Sequence, residues 1–254
     1  MHNTQTLLLT QLFCGILFLS TSTKAQKNKK YNSVVFSYQY PIQKSNEASD
    51  TSMMHFLHTI KDSLHKHLEE VIVQSALPLT KAQPESSLGN WIADAVITQL
   101  SKKYKINACI INYGSIGVEY WAPGALTRKD FYQLIPHENK IVLYQLNGIA
   151  IKQLCDSIAS LGGIPISGIS FSIKDNRAQS ILINHQAVND HLVYSIALND
   201  FMVIHKKFNG ILNKQQSKPI HKTLRNILIE TAIDMNNKGV KINATLDNRI
   251  SYAE

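Results

Sequence analysis

Apolar residues recur at helical spacing in several stretches of the chain. Between Met53 and Val73 they return every three or four positions, which predicts an amphipathic helix. A second helix is predicted over Glu85–Leu100, preceded by Pro84 and with Ser86 or Ser87 as its N-cap. A third helix is predicted from Thr127 to Ile135, where Thr127 and Asp130 have the capping-box spacing. Two more are predicted, one over Ile149–Leu161 and one from Pro219 to about Asn236, which ends before Gly239.

Runs of β-branched and apolar residues lie between these helices and predict strands. The helices and strands interleave without a strict βαβ rhythm. We therefore expect an α+β fold: a single domain with a mixed β-sheet flanked by helices. The segment Tyr113–Gly124 is predicted as a loop, and Val34–Tyr40 alternates like a strand. The other predicted strands are Ile106–Asn112, Lys140–Leu146, Ser170–Ile173, Gln179–Ile183 and Leu192–Ala197.

The first part of the chain has the character of an export signal. A short apolar run from Leu7 to Ser20 is followed by small residues at Thr23 and Ala25, the positions that signal peptidase prefers. The run is too short for a comfortable membrane span, which needs about 20 apolar residues. A lipid anchor on Cys14 is disfavoured by the bulky residues before it. We expect a signal peptide over 1–25, a polar extension over 26–50 and a folded domain over 51–254, exported to the periplasm or the extracellular space without a transmembrane span.

The charge balance is basic, but it does not select a function. Lys and Arg number 26 against 18 for Asp and Glu, a formal net charge of +8. The lysines are scattered and lack the stripe with interleaved aromatic residues that single-stranded nucleic acid needs. We therefore expect no nucleic-acid partner, and a basic nucleic-acid binder ranks last among the functions considered.

Motifs that would carry chemistry are absent from the sequence. There is no phosphate-binding glycine loop, no H-E-x-x-H and no G-x-S-x-G. The histidines around His55 and His58 could share a helix face, but a scattered polar face is more often solvent-exposed. Cys109 and Cys155 fall in apolar elements and are interpreted as structural, although two cysteines could pair after export. We predict no catalytic residue, no metal site and no cofactor in this chain.

Several weak motifs, taken in order, resemble the 5′-nucleotidase C-terminal domain family. The resemblance extends over roughly residues 55–252 and implies a substrate-binding domain. In that family a separate N-terminal metallophosphoesterase domain holds the divalent metals, so we expect a stand-alone C-terminal domain without it. The motifs are Pro84–Ala95, Ile111–Ile116, Gly124–Tyr132, Leu134–Val142, Gln145–Gly148, Gly162–Gly163 with Ser167–Phe171, Tyr194–Phe201 and Asp247–Ile250.

The resemblance also implies four substrate-binding residues. Asn112 matches the first position of the family's N-x-G-G-x-R loop, where its amide would meet a base edge, and Gly114 keeps the backbone open. Phe201 matches one of two aromatic residues that enclose the base. His137 replaces the other and can still stack.

Two positions depart from the family pattern. The Arg that faces the phosphate is replaced by Gly117, and the segment that carries the ribose-binding Asp is replaced by His205–Phe208, with Lys207 at the Asp position. An Arg contributes a charge-assisted hydrogen bond to an anionic ligand, so phosphate-ester affinity should be poor. Lys206 or Lys207 could compensate only as point charges.

Two functions remain open on this sequence. The first is the substrate-binding half of an exported 5′-nucleotidase-type phosphoesterase, with a nucleoside or nucleotide ligand and a separate metallophosphoesterase chain as partner. The isolated chain would then be inactive. The second is a degenerate, non-catalytic nucleoside-binding or scaffold protein with the same fold.

Overall fold

The computed structural model describes residues 51–253, so the predicted signal peptide, the polar extension and the segment Val34–Tyr40 lie outside the described residues. Helices and strands alternate in a mixed α+β order, which confirms the predicted fold class. In chain order the elements are α1 (Thr51–Leu68), β1 (Val71–Ser75), β2 (Leu79–Thr80), α2 (Ser87–Leu100), β3 (Ala108–Ile110), a 3₁₀ turn (Tyr113–Ser115), β4 (Tyr120–Trp121), β5 (Gly124–Thr127), α3 (Arg128–Leu134), β6 (Lys140–Asn147), α4 (Gly148–Ala159), β7 (Ile166–Ser167), β8 (Ile169–Lys174), β9 (Arg177–Ile183), β10 (Gln186–Ala187), β11 (Val193–Asn199), α5 (Phe201–Ile204), α6 (Asn209–Leu212), β12 (Gln216–Thr223), α7 (Leu224–Asn237) and β13 (Ile250–Tyr252).

The helix α1 is shorter than its periodicity predicts. The predicted extension to Val73 is wrong, because the chain turns at Glu69 and forms β1 from Val71 onward. The first three residues of β1 are all β-branched, and such side chains favour a strand. β1 pairs antiparallel with β5. None of the residues of α1 is buried.

Two helices begin at the caps that the sequence indicates. At α2 the Ser86 hydroxyl accepts a hydrogen bond from the Gly89 backbone N–H at 3.0 Å. At α3 the capping box forms, since Asp130 Oδ2 accepts from the Thr127 backbone N–H at 2.6 Å while the Thr127 side chain accepts from the backbone of residue 130. These bonds satisfy N–H groups that have no partner inside the helix.

The central sheet has five strands in the order β12-β6-β11-β3-β7. β3 and β11 are parallel, and every other neighbouring pair is antiparallel. A second sheet has the order β10-β9-β8-β13, with β8 and β13 parallel. The predicted strands Ser170–Ile173, Gln179–Ile183 and Leu192–Ala197 correspond to β8, β9 and β11.

The last predicted helix begins later than the sequence indicates. The prediction that Pro219 opens it is wrong, because Pro219 lies inside β12, and α7 begins only at Leu224 with Thr223 as its N-cap. A proline cannot donate to a strand ladder, so within a sheet it is confined to edge strands or bulges. β12 is an edge strand of the central sheet, and its register shifts between Pro219 and Thr223.

The central sheet separates two apolar cores. Side chains alternate across a strand, so Cys109 and Ile111 pack into the core formed with α2 and α7, while Ala108 and Ile110 pack into the core formed with α4 and β8. Sheets buried on both faces are rigid platforms, and functional side chains then lie on the loops at their edges.

Candidate functional site

Three loops meet at one edge of the central sheet. β3 and β11 are parallel, so their carboxyl ends lie at the same edge, and β6 begins there because it runs antiparallel to β11. The loops after β3 and β11 and the loop before β6 enclose a cavity of about 440 Å³. Its lining residues are Asn112, Gly114, Ser115, His137, Asn139, Phe201 and His205.

All four residues predicted from the resemblance, Asn112, Gly114, His137 and Phe201, lie in this lining. They are up to 89 positions apart in the sequence, and the strand order brings them together. The prediction did not include three other lining residues, Ser115, Asn139 and His205. Ser115 and Asn139 fall inside the motifs Ile111–Ile116 and Leu134–Val142, and His205 begins the replaced segment, but none of the three was singled out as a binding residue.

The polar wall of the cavity is held by a short chain of hydrogen bonds. The Asn112 backbone N–H donates to Asn199 Oδ1 at 3.1 Å, and Asn199 Nδ2 donates to Ser115 Oγ at 3.0 Å. Asn139 Nδ2 donates to the same Ser115 Oγ at 3.0 Å. Asn199 is 0% and Ser115 1% exposed, so these polar groups depend on each other rather than on solvent.

The aromatic wall contains Phe201 and His205. Phe201 is 39% exposed, so its ring is available to a ligand instead of being a core residue. The His205 ring lies 6.4 Å from the Phe201 ring and 5.2 Å from the ring of Phe208, which is buried. His137 is exposed on the loop before β6. Exposed aromatic faces around a cavity are typical of sites that bind planar ligands by stacking.

Gly117 and Lys207, which stand at the family's Arg and Asp positions, do not line the cavity, whereas His205 of the replaced segment does. A Cβ on Gly117 would lie 2.5 Å from the Gln133 carbonyl oxygen and 2.9 Å from Pro136 Cδ, so a side chain there requires the backbone to move. The Lys207 ammonium donates to Ser160 Oγ at 3.0 Å. None of the cavity-lining residues is Lys, Arg, Asp or Glu. The site therefore carries no formal charge when its histidines are neutral.

A larger cavity of about 510 Å³ lies between α2, α7 and the segment before β13. Three of its charged residues bind each other: the Arg249 guanidinium donates to both carboxylate oxygens of Asp94, at 2.7 and 2.8 Å. Arg249 also donates to both oxygens of Asp247. Burial acts to lower the pKa of Arg249, but the hydrogen bonds that Arg249 donates to Asp94 and Asp247, together with their negative charge, outweigh it and raise that pKa. These pairings indicate a structural role.

Residues 51–253 contain no group of three or more His, Cys, Asp or Glu placed to hold a metal ion. The histidines of α1, including His55 and His58, lie on an exposed helix. Over the same range no helix has the length and apolar character that a membrane crossing requires. Cys109 and Cys155 are unpaired and buried on opposite faces of the central sheet, and burial raises the pKa of both thiols.

Several solved structures share this fold. A 5′-nucleotidase precursor from Thermus thermophilus matches with a TM-score of 0.68 at 17% identity, over 81% of this chain and 44% of that one. An NAD nucleotidase from Haemophilus influenzae gives 0.61 at 16%, over 81% and 42%. The sulfate thiohydrolase SoxB from Thermus thermophilus gives 0.61 at 14%, over 80% and 38%. The chain thus spans less than half the length of each of these proteins.

No curated protein sequence matched the chain. The sequence model of the family described as "5′-nucleotidase, C-terminal domain" matches residues 67–210, more than half of the chain. That range includes β3, β6 and β11 and all the residues that line the cavity. The chain therefore belongs to the 5′-nucleotidase C-terminal domain family.

Proposed function

We propose that the chain is the substrate-binding part of a 5′-nucleotidase-type phosphoesterase and that the cavity formed by the three loops binds the nucleoside. The observation that carries this proposal is the convergence of Asn112, His137 and Phe201 on one cavity. Phe201 offers an exposed ring for stacking, and stacking on an aromatic side chain contributes about 1–3 kcal/mol per base. The Asn112 amide can both donate and accept at a base edge.

The charge of the cavity favours the nucleoside part of a substrate over its phosphate. No Lys or Arg is among the lining residues, and the family's arginine position is the side-chain-free Gly117. Hydrogen bonds to charged groups contribute about 1.5–3 kcal/mol, so a phosphate gains little here. We expect adenosine and AMP to bind with similar affinity.

Hydrolysis would take place on a separate metallophosphoesterase chain. That partner would supply two divalent metals, which activate water and clamp the phosphate oxygens. The present chain would hold the nucleoside and place the phosphate ester over those metals. We further propose that the chain is exported, on the strength of residues 1–25, and that it works in the periplasm or the extracellular space.

Calorimetry with adenosine, uridine and AMP tests nucleoside binding directly on the purified chain. Phe201→Ala should weaken adenosine binding about fivefold to a hundredfold, the size of one lost stacking contact. Tyr252→Ala is a matched control, because Tyr252 is also an exposed aromatic residue but does not line the cavity. Unchanged affinity in Phe201→Ala would refute the stacking role.

The partner is tested by pull-down from the native host, probed for a metallophosphoesterase. Mixing the two proteins with a divalent metal should release phosphate from AMP, and the chain alone should release none. A second candidate function, a degenerate scaffold, is favoured by the closed position at Gly117. Absence of heat with every nucleoside and absence of turnover in the mixture would support the scaffold instead.

A further inference from the structure

The buried hydroxyl of Ser115 joins three segments that line or support the nucleoside cavity. It lies at the end of the 3₁₀ turn after β3 and accepts from Asn199 on β11 and from Asn139 before β6, both at 3.0 Å. Ser115 is thus a common acceptor for two amides that are 60 positions apart in the sequence. No other side chain in the cavity lining bonds to two of the three segments through its own side-chain atoms.

The direction of the Asn199 bond is fixed by an independent neighbour. The Asn112 backbone N–H can only donate, so the Asn199 atom facing it at 3.1 Å must be the oxygen. The other end of that amide, which faces Ser115, is therefore the nitrogen. A hydroxyl has two acceptor positions, and Asn139 Nδ2 occupies the second. Both lone pairs of Ser115 are then used to orient neighbouring amides.

Backbone hydrogen bonds fix the positions of the two segments, whereas the orientation of the Asn139 side chain depends on Ser115. The Ser115 backbone N–H donates to Asn112 O at 2.9 Å, and Asn139 O accepts from the Leu224 N–H at 2.8 Å. These bonds fix where the two segments lie. The rotation of the Asn139 amide about its side-chain bonds is fixed by the bond to Ser115 Oγ, the one side-chain hydrogen bond that Asn139 makes to the cavity wall.

We infer that Ser115 is a positioning residue for ligand binding: its hydroxyl holds the Asn139 amide in one orientation at the cavity and ties that amide to the buried Asn199. This inference rests on the proposed nucleoside function for its effect on affinity. Without the hydroxyl, Asn139 is free to rotate, and the ligand must restrict it on binding. Ordering a side chain at the moment of binding weakens affinity, whereas a pre-oriented one does not.

The test uses the full chain with Ser115→Ala, Ser115→Cys and Ser115→Thr. Ala removes the acceptor, Cys keeps the volume with a weak acceptor, and Thr retains the hydroxyl. The readouts are the Asn139 side-chain amide resonance by NMR and the dissociation constant for adenosine by calorimetry. Ser195→Ala is the matched control, since Ser195 is a buried serine at the other end of the strand that carries Asn199.

We expect Ser115→Ala to move the Asn139 amide resonance to the position of a free amide and to raise the dissociation constant for adenosine about tenfold. Ser115→Thr should restore both, and Ser195→Ala should change neither. If Ser115→Ala does not fold, the Asn139 resonance and the dissociation constant for adenosine are measured on Ser115→Cys, and we expect both to change in the same direction. An unmoved Asn139 resonance, or a moved resonance with wild-type affinity, would overturn the inference. A wild-type chain that binds no nucleoside would instead overturn the proposed function, and the Asn139 resonance alone would still decide whether Ser115 fixes that amide.

Discussion

Gly117 lies against the backbone of Gln133, with its N–H donating to the neighbouring Leu134 carbonyl at 2.8 Å and no room for a Cβ beside the Gln133 oxygen. The position that holds an arginine in the family pattern has become a point of close backbone contact. A single substitution back to arginine would therefore not recreate a phosphate contact without moving this segment.

We predict that Gly117→Ala lowers the free energy of unfolding by about 1–3 kcal/mol, because inserting a carbon where packing is closed strains the backbone. Gly210→Ala is the matched control: nothing lies within 4 Å of its Cβ position, and it sits inside α6. There the exchange should be neutral or should stabilise by up to about 1 kcal/mol. Urea unfolding of both variants measures the contrast, and equal effects would contradict the close contact at Gly117.

The ion pair between Arg249 and Asp94 should stabilise the fold more than a surface pair does. It is bidentate, and the Arg249 side chain is only 14% exposed. We expect each single alanine variant to lose about 1.5–3 kcal/mol, with a clear coupling energy in the double-mutant cycle. The same cycle on the exposed pair Lys102–Asp234 should give less than about 1 kcal/mol. Equal coupling in the two cycles would show that burial adds nothing here.

Acid should weaken the segment before β13 through Asp247. Burial raises the pKa of this carboxyl, but the hydrogen bonds and charge of Arg249 outweigh it and hold the pKa below its ordinary value. A lowered folded-state pKa adds stability above the unfolded value of about 3.9, and that stability is lost as the pH falls through the folded value. The urea midpoint between pH 6 and pH 2.5 should therefore fall less in Asp247→Asn than in the wild type. Asp175→Asn, in the turn after β8, should follow the wild-type profile.

The two cysteines should be unreactive in the folded chain. Both are fully buried, and burial raises the pKa of each thiol, so little thiolate forms at neutral pH. We expect neither Cys109 nor Cys155 to react with a thiol reagent in buffer, and we expect both to react in denaturant. Fast labelling of the native chain would place at least one thiol at the surface.

The sequence predicted well where a local rule decides the structure. The N-cap, predicted at Ser86 or Ser87 and formed by Ser86, and the capping box of Thr127 and Asp130 both depend on neighbours within three residues. The strand at Val71 and the strand position of Pro219 were missed, because pairing of β1 with β5 and of β12 with β6 decides them. Those partners are far away in the sequence.

The residues of the candidate site also differ in whether the sequence or the tertiary structure identifies them. The residues Asn112, Gly114, His137 and Phe201 follow from motif resemblance, and the structure brings them to one cavity. Asn199 lies in the motif Tyr194–Phe201, but its supporting role was not predicted, since it does not line the cavity and acts through Ser115 from within β11. Its role depends on strand order, which places β11 next to β3.

The edge strand β12 bears on how this protein can assemble. It contains Lys218, Pro219 and Lys222, and the register shift after Pro219 interrupts a regular ladder. Lysine, proline and a bulge on an edge strand each disfavour the addition of a strand from a second molecule. These features protect the central sheet against edge-to-edge growth at β12. We expect any association through β12 to use side chains rather than a continued β-ladder.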